Sequence, residues 1–206
     1  MPEFRSLIEG YHRFRAGNYL VQKQRWQELA EGQEPPVMVI GCCDSRVDPG
    51  MIFDTHPGQV FVLRNVANLV PPYEPDTGHH GASAAIEFAV TGLQVRHIVV
   101  LGHGACGGIA ACLQGGDQGA PGPSFIDKWV SIVAEARNAV LEAAPADPQR
   151  ALELEAVKVS LRNLRSFPWV RERETEGSLK LHGAYFAIAE GVLHVLDEAT
   201  GSYRPA

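Results

Sequence analysis

The chain has no long apolar run. Its most apolar stretches, such as HIVVLG at 97–102, fall well short of the roughly 20 residues a membrane-spanning helix needs. It has no block of basic residues either. Lys and Arg number 18 against 24 Asp and Glu, for a net charge of −6, which argues against nucleic acid or an anionic membrane surface as the main partner. The opening residues, MPEFRSLIEGYHRFRAGNYL, lack an apolar h-region and a small-residue cleavage site. No secretory signal is therefore expected, and the expected compartment is the cytoplasm, where thiols stay reduced. Cysteine is scarce: Cys42, Cys43, Cys106 and Cys112. In a reducing compartment these read as metal ligands, catalytic groups or core fillers rather than a disulfide framework, and a bridge between neighbours 42 and 43 would be strained. Repeats and long linkers are absent. What remains is 206 residues, 45% apolar and 20% charged, enough for a real core and too few charges for global disorder.

The pattern along the chain predicts a single α/β domain over 1–206, with an N-terminal helical arm at 1–34 and a core at 35–206. Residues 4–31 carry a helical apolar face through Phe4, Leu7, Ile8, Tyr11 and Phe14, with a break near Gly17. VMVIGCC (37–43), QVFVLRNVAN (59–68) and HIVVLGH (97–103) read as buried strands. ASAAIEFAVTGL (82–93) reads as a helix and CGGIAACL as a short one. GDQGAPGPS (116–124) is a Gly/Pro loop, and two helical stretches follow around Pro145 and Pro148. The last 25 or so residues alternate as strands. This order implies a mostly parallel central sheet flanked by helices, with an extra antiparallel edge strand.

GCCDSRVDPG, at 41–50, places two thiols, a carboxylate and a guanidinium where a buried strand ends. HIVVLGH ends at His103, with Cys106 three residues on. In doubly wound sheets, functional groups gather at the carboxyl ends of strands where the strand order reverses. If these two strands are neighbours, Cys42, His103 and Cys106 converge, and two thiolates with an imidazole suit zinc with one open position. Cys106 also precedes a helix, whose free N–H groups favour a thiolate. The plainer alternative is a tight turn with core cysteines and a structural ion pair. Cys43, on the opposite side of the strand, and Cys112 read as core; His79 and His80 read as surface or capping residues. Arg46 can grip Asp44 through two hydrogen bonds, keeping it ionised and oriented.

At these residues the chain resembles the β-class carbonic anhydrases. CCDSR is similar to that family's Cys-x-Asp-Ser-Arg motif and HGACGG to its His-x-x-Cys-Gly-Gly motif, and FVLRNVANLVPP and SAAIEFAV resemble its intervening segments. The likeness is strongest from about 33 to 113. It implies one zinc per chain held by Cys42, His103 and Cys106, and a catalytic dyad of Asp44 and Arg46. It also implies a homodimer or dimer of dimers, with sites near the interface and N-terminal helices embracing the partner. Gln33, nine residues before Cys42, and Phe61 match the plant-like open-site type; Val39 stands where the other type has Trp. Phe88 replaces the usual Tyr, and Cys43 stands where Ser is more frequent.

The resemblance implies reversible hydration of CO2 to bicarbonate and a proton. Gln33, Phe61, Val66, Phe88 and the N–H of Gly107 would line the substrate pocket. Two thiolates offset the charge of zinc, so activity is expected to rise on the alkaline side of neutrality. Two alternatives stay open on the sequence. One is a CS2 or COS hydrolase using the same residues. The other is a non-catalytic zinc-binding module in which Asp44 completes the coordination.

Overall fold

The computed structural model describes residues 3–115 and 124–206. These form two compact units, Met1–Glu34 and Pro35–Ala206. The first holds helices α1 (Phe4–Ala16), α2 (Asn18–Val21) and α3 (Lys23–Glu31), interrupted at Gly17 and Gln22, and none of the three has a buried residue. The anticipated break near Gly17 is there. Of the Gly/Pro loop read at 116–124, all but Ser124 lies outside the described residues.

The second unit is built on a six-stranded sheet. Its strands are β1 (Val37–Cys42), β2 (Val60–Asn65), β3 (His97–His103), β4 (Lys180–Ala187), β5 (Val192–Asp197) and β6 (Ser202–Pro205). Their spatial order is β2-β1-β3-β4-β5-β6. The first four run parallel; β5 and β6 turn back antiparallel. The helices are α4 (Pro49–Ile52), α5 (Gly81–Glu87), α6 (Gly107–Leu113), α7 (Phe125–Val130), α8 (Ala134–Ala143), α9 (Pro148–Leu164) and α10 (Pro168–Thr175). Among the described residues no helix is long and apolar enough to cross a membrane.

The β-branched run of β1 fits a strand with both faces covered. Met38 and Ile40 join Ile98, Val100, Ile86, Leu161 and Phe167 in one cluster, while Val39 meets Leu101 and Ala184 in another. That is the period-two alternation of a strand. Strand order reverses between β1 and β3, since β2 lies outside β1 and β4 outside β3.

Several boundaries differ from the sequence reading for identifiable reasons. The second strand ends at Asn65 rather than 68. There the Asn65 side chain accepts from the Leu69 N–H at 3.0 Å and donates to the Leu69 carbonyl at 2.8 Å, folding 66–68 into a tight turn. The helix anticipated at 82–93 is α-helical only to Glu87 and continues as a π-helical turn over Phe88–Gly92. The last long helical stretch divides into α9 and α10 because Pro168 starts a new helix.

Helix α9 begins with Asp147 capping the Arg150 N–H at 2.9 Å and with Pro148 in its first turn. It lies low on the sheet because two glycines face it. A Cβ on Gly102 would meet Val157 Cγ2 at 2.7 Å, and one on Gly183 would meet Val157 Cγ1 at 3.0 Å. Gly102→Ala is therefore expected to cost about 1–3 kcal/mol through overpacking, read from urea unfolding of the metal-free chain. Adding Val157→Ala should recover part of that loss; a purely additive double variant would show that the two positions do not press on each other.

Candidate metal centre and acid–guanidinium pair

β1 and β3 are in register with Gly41 opposite Leu101. Cys42 follows Gly41 by one residue and His103 follows Leu101 by two, so both reach the same end of the sheet at the switch point. Cys106 joins them from the turn between β3 and α6. The ligating atoms of Cys42, His103 and Cys106 all lie within 4.8 Å of one another, and all three residues are buried.

Each donor is already aimed. His103 Nδ1 sits 2.9 Å from the Gly104 carbonyl, which fixes a proton there, while Nε2 is buried with no hydrogen-bond partner. An orphaned imidazole nitrogen beside two thiols is costly unless something accepts its lone pair. The Ala67 N–H donates to Cys42 Sγ at 3.4 Å. The thiols compete for one proton. The hydrogen bond from Cys106 lowers Cys42, against burial, and the same bond with burial and the Cys42 charge raises Cys106. Burial by itself would lower His103, but the Cys42 thiolate charge nearby and the Gly104 carbonyl leave it raised. Two buried thiolates need a cation between them, and a soft-and-borderline donor set of this size fits zinc, whose tetrahedral bonds are about 2.0–2.3 Å.

Asp44 does not join this group. Arg46 grips it from three sides: Nε to Oδ1 at 2.9 Å, Nη2 to Oδ2 at 2.7 Å and the backbone N–H to Oδ1 at 3.0 Å. That pairing holds the Asp44 carboxyl well below the usual carboxylate range. Arg46 Nη2 also donates to the Ala105 carbonyl at 3.0 Å. Ala105 has φ of +53°, and Ala67 and Asn68 are likewise left-handed at +62° and +50°. Non-glycine residues held this way cluster at functional sites.

Sequence reasoning missed Arg64 of β2. Its guanidinium donates to the Cys42 carbonyl at 2.8 Å, the Asp44 carbonyl at 2.7 Å and Asp48 Oδ2 at 3.1 Å. A single staple thus holds both ends of the Cys42–Asp44 turn. Only its place in RNVAN, one strand away, hinted at this.

The anticipated pocket residues divide. Val66 packs on Gly108, two residues past Cys106, where an added Cβ would meet Val66 Cγ1 at 2.6 Å. Nothing crowds the Cβ direction of Gly107 within 4 Å, leaving that side open to a ligand. Phe61 pairs with Met38, four residues before Cys42, which is roughly 13 Å along the sheet at about 3.3 Å per residue. It packs on Phe88 with ring centroids 5.9 Å apart, and Phe88 is 52% exposed. This aromatic pair therefore stands away from its own chain's Cys42. Gln33 belongs to the N-terminal unit. Cys43, expected in the core, is exposed, because the strand ends at Cys42 and the chain turns outward. Cys112 is buried, as expected. His80 is on the surface, 2.6 Å from Asp76 Oδ1.

The carbonic anhydrase family model matches residues 37–193. The chain is 38% identical to beta carbonic anhydrase 3 of Arabidopsis thaliana over 187 residues, covering 88% of this chain and 72% of that protein. The solved beta-carbonic anhydrase CcaA superimposes with a TM-score of 0.91 at 30% identity, covering 98% of this chain and 91% of that one. One of two tetrameric beta-carbonic anhydrases from the filamentous ascomycete Sordaria macrospora gives a TM-score of 0.83 at 31% identity, covering 98% of each chain.

Arg64→Leu should leave two turn carbonyls without their donor and weaken metal affinity about 10–100-fold. Chelator competition measures this, and affinity equal to the unmodified chain would remove Arg64 from the site's support.

Proposed function

This chain belongs to the β-class carbonic anhydrases, and from that premise we propose how its residues divide the work of zinc-dependent CO2 hydration. The observation that carries the reading is the convergence of Cys42, His103 and Cys106 while Arg46 keeps Asp44 to itself. Cys42, His103 and Cys106 would hold zinc, which when bound would supply an acidified water as nucleophile, less acidic than on a site of neutral ligands. Asp44 accepts a hydrogen bond from the attacking water and turns its lone pair towards CO2. Arg46 keeps Asp44 ionised and off the metal, so the open position stays open; this speaks against a purely structural ion closed by Asp44. Val66 supplies apolar wall, and the Gly107 N–H donates to a substrate oxygen.

The working unit is a homodimer or dimer of dimers. Support comes from the exposed apolar side chains of α1, where Phe4, Leu7 and Ile8 are all uncovered, and from the tetrameric Sordaria structures. Phe61 and Phe88, too far along the sheet to serve their own Cys42, wall the site of the partner subunit. Four unpaired cysteines suit the reducing cytoplasm.

Stopped-flow CO2 hydration by zinc-quantified protein, with a chelator-stripped control, tests this reading. Fast zinc-dependent turnover rising on the alkaline side is expected; absence of turnover with one zinc bound per chain would overturn it. Asp44 is depressed by Arg46, so it stays ionised from below its ordinary value, about 3.9, upward, and does not set the alkaline rise. Asp44→Asn should accordingly remove most turnover at every pH, with zinc retained and the profile unshifted. Full activity in that variant would eliminate the dyad role.

A further inference from the structure

Of the three ligands, two take their backbone rigidity from central strands: Cys42 from β1 and His103 from β3. Cys106 belongs to neither strand nor helix. It follows left-handed Ala105 and precedes the first residue of α6, so its N–H has no partner in a strand ladder or helix.

That partner comes from α9. The Cys106 N–H donates to Glu153 Oε1 at 2.8 Å. Gln149, one turn earlier, donates through Nε2 to the Cys106 carbonyl at 3.0 Å and to Glu153 Oε1 at 2.7 Å. Tyr185 of β4 donates to Glu153 Oε2 at 2.9 Å, with the Arg150 guanidinium 5.6 Å from its ring centroid. Glu153 is 3% exposed, and it is the only buried acid among the described residues. Every one of its partners is a donor. A buried acid on a helix face that otherwise packs against the core needs such compensation.

We propose that Gln149 and Glu153 act as a positioning clamp on the backbone of Cys106, holding its N–H and its carbonyl together so that the sulfur points at Cys42 and His103. The inference rests on Cys106 being a zinc ligand. Both act through the Cys106 backbone. Glu153 acts as a hydrogen-bond acceptor. In Glu153→Gln the amide oxygen can take the Cys106 N–H while the amide nitrogen donates to the Tyr185 oxygen, so the clamp survives. In Glu153→Ala the Cys106 N–H is left buried and unpaired.

The test is zinc release from the holoprotein to a chromogenic chelator, paired with the thiolate-to-metal absorption bands of the cobalt-substituted protein. Zinc content of the unmodified protein is measured first; a chain that binds no zinc sinks the ligand reading itself. Given zinc, Glu153→Ala is expected to release it about 10–100-fold faster and to shift the cobalt bands, while Glu153→Gln stays near the unmodified rate and spectrum. If Glu153→Ala releases zinc at the unmodified rate, or Glu153→Gln is as impaired as Glu153→Ala, the clamp is wrong. Should Glu153→Ala fail to fold, Gln149→Leu at a part-buried position decides: a several-fold faster release with shifted bands supports the clamp, and an unchanged rate overturns it.

Discussion

Parallel pairing of β1 with β3, Gly41 opposite Leu101, decides where the chain's scarce thiols and its imidazole can meet. A slip of one residue in that register would turn the side chains of one strand to the opposite face of the sheet. The pairing is strongly specified because both strands are buried nearly throughout. Stability and chemistry therefore draw on the same residues: the alternation that packs Met38 and Ile40 against Ile98 and Val100 also delivers Cys42 to the switch point.

Around that point the protein separates charge with care. Two sulfurs and one unpartnered imidazole nitrogen face inward. The Asp44 carboxylate is turned aside onto a guanidinium that also anchors to the Ala105 carbonyl. Arg64 holds the turn from beneath. Two arginines thus do different jobs around one ligand: one sets the state of a side chain, the other sets the path of a backbone. Each uses the rigid multi-donor fork that lysine lacks.

Much of this was legible in the sequence because the residue types are chemically uncommon and sit at strand ends. Cys42, His103, Cys106, Asp44 and Arg46 were all named from motif and spacing, and the sheet followed from three apolar runs. What the sequence concealed depended on long-range geometry. Glu153, in ALELEAVKVS, looks like a solvated position on an amphipathic helix, and only the docking of α9 turns it inward. The distance from Phe61 to Cys42 needs the β1–β2 register, which apolar patterning by itself does not supply. Cys43 was misread because strand alternation was extended one residue beyond the point where the ladder ends.

The seat of Val157 over Gly102 and Gly183 has a consequence beyond packing. Glu153 lies one helical turn before Val157, so the absence of two side chains on the sheet sets the height at which its carboxyl reaches Cys106. Transplanting the two metal-binding loops onto another parallel sheet would carry the ligands but not that height. A scaffold with alanines in the floor would suspend the helix too high, and the grafted third ligand would be left to find its own orientation.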